Sequence, residues 1–283
     1  MKFRRRKGMS ANIQDRRGRP GMAVGAGVGI PGIVILLIFM FLNNGNGGGG
    51  ADIDDVLGDL QNPGAAPADS APPSNDRLVD FMSFVLDDVQ RFWAQTFSES
   101  GEGYPKADLV LFTQSTNSAC GGATSAIGPH YCPADQKVYV DLDFFRDLRD
   151  RFGAPGDFAQ AYVLAHEVAH HVQNVLGINE QVQGAQQSGS DDANELSVLL
   201  ELQADCLAGV WGYTTNDRGI LEPGDLQEGL RAAAAVGDDR IQEQAGQRVN
   251  PETWTHGSSD QRVDWFQRGF ESGDPSRCDT FGD

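Results

Sequence analysis

The tightest constraint on this chain is a helix that has to present two histidines and a glutamate to a single point. Residues 157–176 are bounded by Pro155-Gly156 before and Gly177 after, read as a helix, and contain His166-Glu167-Val168-Ala169-His170. Residues four apart on a helix share a face, so both imidazoles can reach one ion. Zinc accepts neutral imidazole nitrogen at about 2.0–2.1 Å, which suits two rings set one turn apart. Glu167 follows the first ring, close enough to contact a water on the ion without binding the ion itself. Zinc lowers the pKa of that water toward about 7, and the carboxylate then takes its proton as general base. In a chain with five histidines the pattern arises by accident on the order of once in a few hundred sequences.

A second helix, residues 192–211, carries Glu201-Leu202-Gln203-Ala204-Asp205 behind the apolar approach Ser197-Val198-Leu199-Leu200. Glu201 and Asp205 also stand one turn apart on a shared face. A carboxylate in such a run is costly unless it meets a cation or strong donors, and zinc supplies that partner. His166, His170 and Glu201 then form a three-ligand catalytic site with the fourth position left for water or substrate. Asp205 suits the task of accepting the distal N–H of a ligand histidine and fixing its tautomer. The plain alternative is an amphipathic helix whose acids face water.

The chain is uneven in charge. Residues 1–20 hold eight basic side chains against Asp15 alone, so the other residues keep 14 basic and 39 acidic groups, a net near −25 where the whole chain has −18. A body this acidic repels phosphate backbones, which excludes nucleic acid as an expected partner. After the basic leader, residues 21–42 carry no charge and end in the apolar run 33–42, just long enough to cross a bilayer as a helix. The basic side is expected to stay cytoplasmic, placing the rest of the chain outside as a single-pass cell-membrane protein. A cleaved signal peptide is the rival, but the long charged leader and the lack of an A-x-A-like site after Leu42 favour an uncleaved anchor. Residues 43–75, rich in Gly, Pro and Asn, read as a flexible linker. The expected division is therefore a leader at 1–20, a transmembrane helix at 21–42, a linker at 43–75 and one domain at 76–283.

Within that domain, residues 77–97 have apolar side chains at helical spacing, with Asn75 or Asp76 as N-cap. Residues 108–113 and 137–143 read as strands, the second by its alternation. Residues 225–236 and 259–271 read as further helices. Strands first and helices afterwards predict an α+β fold. The four cysteines fall in the part expected outside the cytoplasm, where an even count suggests disulfides with three pairings open. Cys120 with Cys132 would close a Gly-rich loop, and Cys206 with Cys278 would tie the C-terminal tail to a helix. No C-x-x-C spacing occurs, which argues against a cysteine zinc site.

His-Glu-x-x-His followed by Glu-x-x-x-Asp on a later helix resembles the gluzincin type of metallopeptidase. More closely, the chain resembles the bacterial neutral zinc metallopeptidase family. The stretches that carry the likeness are Gly128 to Leu142, His166 to Gln173, Glu201 to Trp211 and His256-Gly-Ser-Ser-Asp-Gln-Arg, with a basic leader and membrane segment ahead of them. The resemblance implies a zincin-like domain with His166, His170 and Glu201 on Zn2+, Glu167 as general base, and a peptide or protein as substrate.

The remaining histidines read differently. His256 either donates to the oxyanion formed when water attacks a carbonyl or caps the helix at Ser259. His171 lies about 100° around the helix from His170 and reads as packing or as a support behind the ligands. His130, in the expected Cys120–Cys132 loop, reads as structural. Residues 137–143 are either the strand along which an extended peptide pairs or an ordinary core strand. The expected function is zinc-dependent peptide-bond hydrolysis. A zinc-stabilised envelope adaptor without turnover and a hydrolase of non-peptide amides are the alternatives, and an intact Glu167 speaks against the adaptor, since a structural zinc site needs no general base.

Overall fold

A computed structural model describes residues 1–3, 9–18, 77–125, 127–189 and 192–282. The expected membrane helix at 21–42 and the linker at 43–75, with the N-cap candidates Asn75 and Asp76, lie outside these. Among the described residues no helix is long and apolar enough to cross a membrane.

The fold is α+β, as the order of the predicted elements implied. The strands are β1 (Ile13–Asp15), β2 (Asp108–Phe112), β3 (Ser115–Ser118), β4 (Gly121–Thr124), β5 (His130–Cys132) and β6 (Lys137–Asp141). The helices are α1 (Arg77–Glu99), α2 (Phe144–Asp150), α3 (Asp157–Val175), α4 (Ile178–Ser188), α5 (Ala193–Asp217), α6 (Asp225–Ala235), α7 (Asp238–Gln244) and α8 (Ser259–Ser272). One sheet runs β1-β2-β6-β5, with β1, β2 and β6 parallel and β5 antiparallel to β6, while β3 and β4 form a separate hairpin. In β2 and β6 every residue after the first is buried, as strands covered on both faces must be. Since β6 is hydrogen-bonded on both sides, its backbone is not free to pair with a substrate; among the described residues the edges of the sheet are β1 and β5, and β5 is the one beside α3.

Helix α3 is the centre of the molecule. It packs on α1, α5 and α6 and on the β5–β6 side of the sheet. Buried residues lie all round it, from Phe158 to Gln173, which is the pattern of a helix with no face given to water. Helix α5 runs six residues past the expected Trp211. Thr214 and Thr215 bond back to the Trp211 carbonyl, and Arg218 at the end forks onto Asp88 of α1 at 2.7 and 2.6 Å. That partner is too distant in sequence for local spacing to reveal it.

Helices α5 and α8 cross at near backbone contact, and glycines permit it. A Cβ on Gly269 would stand 1.9 Å from the Cys206 carbonyl oxygen, and one on Gly209 would stand 2.1 Å from that of Phe266. Gly269→Ala is therefore expected to force the helices apart and lower stability by about 1–3 kcal/mol, the range for overpacking a tight contact. Denaturant unfolding checks this, and an unchanged midpoint would show that the crossing yields freely.

The leader requires a correction. It was expected to stand apart from the domain as residues 1–20, yet Ile13–Asp15 form β1 in register with Leu109–Leu111. Ser10 bonds Asp87, Gln14 bonds Asp108, and Phe3 packs on Phe81 and Phe84. The Met1 ammonium lies 2.9 Å from Asp157 and 3.0 Å from Asp225. With β1 hydrogen-bonded into the sheet, the leader and the domain lie together. A cytoplasmic leader and an extracytoplasmic domain, as the charge pattern suggested, would require β1 to leave that sheet. Strand β1 escaped the sequence reading because three residues are too few to show alternation, and the basic residues around them read as a cytoplasmic leader.

The disulfides are the two the sequence favoured, Cys120–Cys132 and Cys206–Cys278, and no described cysteine is free.

Candidate metal centre

Helices α3 and α5 pack side by side, and this brings together what the sequence holds 35 residues apart. His166 and His170 sit on one face of α3, their rings nearly perpendicular with centroids 4.7 Å apart. Glu201 faces them from α5. Its Oε2 is 3.1 Å from His166 Nε2, its Oε1 is 3.4 Å from His170 Nε2, and the two Nε2 atoms are 3.1 Å apart. Four ligands at about 2.0–2.1 Å in a tetrahedron stand roughly 3.3–3.4 Å from one another, so the spacing fits a zinc ion.

The far side of each ring supplies an independent test. His166 Nδ1 donates to Asp205 Oδ1 at 2.9 Å, and His170 Nδ1 donates to Gln173 Oε1 at 2.8 Å. With both Nδ1 atoms protonated, two neutral rings would aim their Nε2 lone pairs at each other and at a carboxylate. A metal ion between them, or a proton on one Nε2, relieves that repulsion. The protein environment says the same. Burial opposes a charge on His166, but Asp205 and Glu201 outweigh it and raise its pKa to about 10. Burial also opposes ionisation of Glu201, yet His170 and His166 hold it well below the usual carboxylate range. These donors fit Zn2+: two imidazoles and a carboxylate, pre-oriented and short of one cation.

Asp205 is fully buried and answers four donors. Besides His166 it accepts from the Tyr162 hydroxyl and from Arg262, whose Nε and Nη2 reach its two oxygens at 2.8 and 3.0 Å. Burial opposes its charge, and Arg262 with His166 keeps its pKa low. The bidentate fork fixes the carboxylate plane, and the carboxylate fixes the His166 tautomer.

Glu167 is buried next to the first ligand. His130, stacked on Tyr139 and donating from Nδ1 to the Gly128 carbonyl, lies close enough to Glu167 to feel its charge, although burial still lowers its pKa. His171 is directed away from the ion site. It is wholly buried and bonded to the Tyr131 hydroxyl and the Pro105 carbonyl, the packing role its angle implied. His256 does not cap α8; Ser258 and Gln261 do so reciprocally. Its Nδ1 lies 3.1 Å from Asp238 Oδ1, and the Asp238 carboxylate also gathers the backbone N–H groups of Thr255, His256 and Gly257. Burial lowers the His256 pKa, but Asp238 and Glu201 outweigh it and the net shift is upward. A second acidic group, Asp157 with Asp225 and Glu228, is already served: the Met1 ammonium bridges the first two, and Glu228 accepts the Phe158 N–H.

Sequence reasoning missed Arg262, Tyr162, Gln173 and Gln203. The first left a signal. An acid at position 205 in an apolar run demands a cation, and Arg262 closes the His256-to-Arg262 stretch already singled out.

No solved structure matches the chain. It is 50% identical over 214 residues to a protein of Escherichia coli strain K12 called "Uncharacterized protein YpfJ", covering 75% of each chain. It is 50% identical over 190 residues to "Uncharacterized protein Rv2575" of Mycobacterium tuberculosis strain H37Rv, covering 63% of this chain and 64% of that one. The model of the family described as "Putative neutral zinc metallopeptidase" matches residues 1–281, leader included, and the chain belongs to that family.

Proposed function

We propose that the chain is a zinc-dependent metallopeptidase that hydrolyses peptide bonds, with His166, His170 and Glu201 holding the ion and Glu167 as general base. The observation that carries this reading is the convergence of three metal-type ligand atoms beside a buried carboxylate that is not one of them. Zinc, when bound, supplies Lewis acidity and lowers the pKa of a coordinated water toward about 7. Glu167 takes the proton of the attacking water and passes it to the leaving amine. His256 is held by Asp238 through Nδ1, and in its imidazolium form Nε2 also carries a hydrogen to donate to the oxyanion. Asp205 and Arg262 hold the His166 ring in register throughout. The exposed edge at β5, beside α3, is where an extended substrate can add as a strand.

Incubating the purified chain with a peptide library should yield cleavage that a chelator abolishes and added zinc restores. Zinc bound at about one ion per chain with no cleavage of any peptide would overturn the peptidase reading in favour of the adaptor.

A further inference from the structure

We propose that the disulfide-tethered C-terminal turn positions the zinc ligand His170 through two buried glutamines, Gln173 and Gln203, so that zinc affinity depends on the Cys206–Cys278 bond. The proposal rests on the metal-site reading above and adds to it a second anchor, distinct from the Asp205–Arg262 pair that serves His166.

The hydrogen bonds form one directed chain. His170 Nδ1 donates to Gln173 Oε1 at 2.8 Å, and Gln173 Nε2 donates to the Leu200 carbonyl at 2.7 Å and to Gln203 Oε1 at 3.0 Å. Gln203 Nε2 donates in turn to the Cys278 carbonyl at 3.1 Å. Both glutamines are buried, Gln173 completely, so neither amide can exchange its partner for water at no cost. The direction of each link is fixed by the next. The Cys278 carbonyl can only accept, so Gln203 must present its NH2 group to it and its oxygen to Gln173. Gln173 must then present its NH2 group to Gln203 and to Leu200, and its oxygen to His170. That oxygen accepts a hydrogen only from Nδ1, which leaves the His170 Nε2 lone pair directed at the metal point.

The last link sits on a short 3-10 turn, Pro275–Cys278, which the Asp274 side chain caps at the Ser276 N–H and which packs on α5 and α8. The bond from Cys278 to Cys206 fastens this turn to α5, one residue after Asp205, and Thr280 adds a bond to the Leu199 carbonyl. Gln203 and Cys278 also line a surface cavity of about 470 Å³. Without the disulfide, the turn can move toward that space. The Cys278 carbonyl is then lost to Gln203, and the His170 ring loses its fixed tautomer and orientation.

The test measures zinc affinity of the full chain by competition with a chromophoric chelator, for the wild type, Gln203→Met, Cys206→Ser/Cys278→Ser and the combination of the three substitutions. Gln203→Met and the double serine variant should each weaken zinc binding about 10–100-fold, as changes behind a ligand histidine commonly do. Their combination should be no weaker than either, since both cut one chain of contacts. The d–d absorption of the cobalt-loaded protein should shift in the same variants, because it reads ligand orientation. Cys120→Ser/Cys132→Ser should keep wild-type affinity. Unchanged affinity in Gln203→Met, or additive losses in the combination, would overturn the relay. If Gln203→Met does not fold, Gln173→Met takes its place with the same expected losses and non-additivity. A wild-type chain that binds no zinc would overturn the metal site itself, an outcome distinct from failure of the relay.

Discussion

Glu167→Gln is expected to keep about one zinc per chain while losing a factor of about 10²–10⁴ in turnover, the usual contribution of a positioned general base. The substitution preserves shape and polarity at a buried position of α3, so the helix and the ligand geometry stay intact. What it removes is the ability to accept a proton. None of the hydrogen bonds that orient His166, His170 or Glu201 passes through Glu167; they run to Asp205, Gln173 and the ligands themselves. Metal content by atomic absorption, measured beside peptide turnover, separates the two roles. Wild-type turnover by Glu167→Gln would remove Glu167 from the chemistry. Loss of zinc would place it among the ligands.

The site was more legible in the sequence than the fold around it, and the reason is geometric. His166, Glu167 and His170 on one helix and Glu201 and Asp205 on another are local patterns. Helical periodicity alone puts each set on one face, so only the packing of α3 against α5 remained to be inferred. The two disulfides could be weighed because four cysteines allow few pairings. The sheet was another matter. Strands β2 and β6 alternate or are apolar enough to read, whereas β5 is His130-Tyr131-Cys132 and β1 is Ile13-Gln14-Asp15, too short for periodicity and defined by their neighbours' hydrogen bonds. The supports of the site were hidden for a related reason. Arg262 meets Asp205 across 57 residues, and Gln203 meets Cys278 across 75. Contacts of that span leave no periodic trace. Only a charge or amide that has to be satisfied on burial hints at them, and it does not say by which partner.

Removing a ligand should have the opposite signature to removing the base. His170→Ala and Glu201→Ala are expected to lose zinc at stoichiometric concentration and all turnover with it. The two remaining ligand atoms cannot define a site, and the buried residues around them lose the charge they were arranged to meet. In Glu201→Ala the two Nε2 atoms still stand 3.1 Å apart but without their carboxylate, so the compensation for burying a dication is gone. The effect on stability follows by linkage. A metal that binds the folded chain and not the unfolded one raises the unfolding free energy by about 2.7 kcal/mol at a hundredfold excess over Kd. The wild type should therefore melt higher with zinc than with chelator, while His170→Ala and Glu201→Ala should melt at the same temperature in both. Asp205→Asn belongs between these cases. It still accepts from His166 Nδ1 through its amide oxygen but loses the charge that Arg262 and the imidazole answer, so affinity should fall about 10–100-fold with zinc still bound at high concentration. Differential scanning calorimetry with and without zinc reads the melting temperatures, and atomic absorption reads the occupancy. If Glu201→Ala kept both full occupancy and the zinc-dependent shift in melting temperature, Glu201 would not be a ligand, and the third donor would have to come from elsewhere.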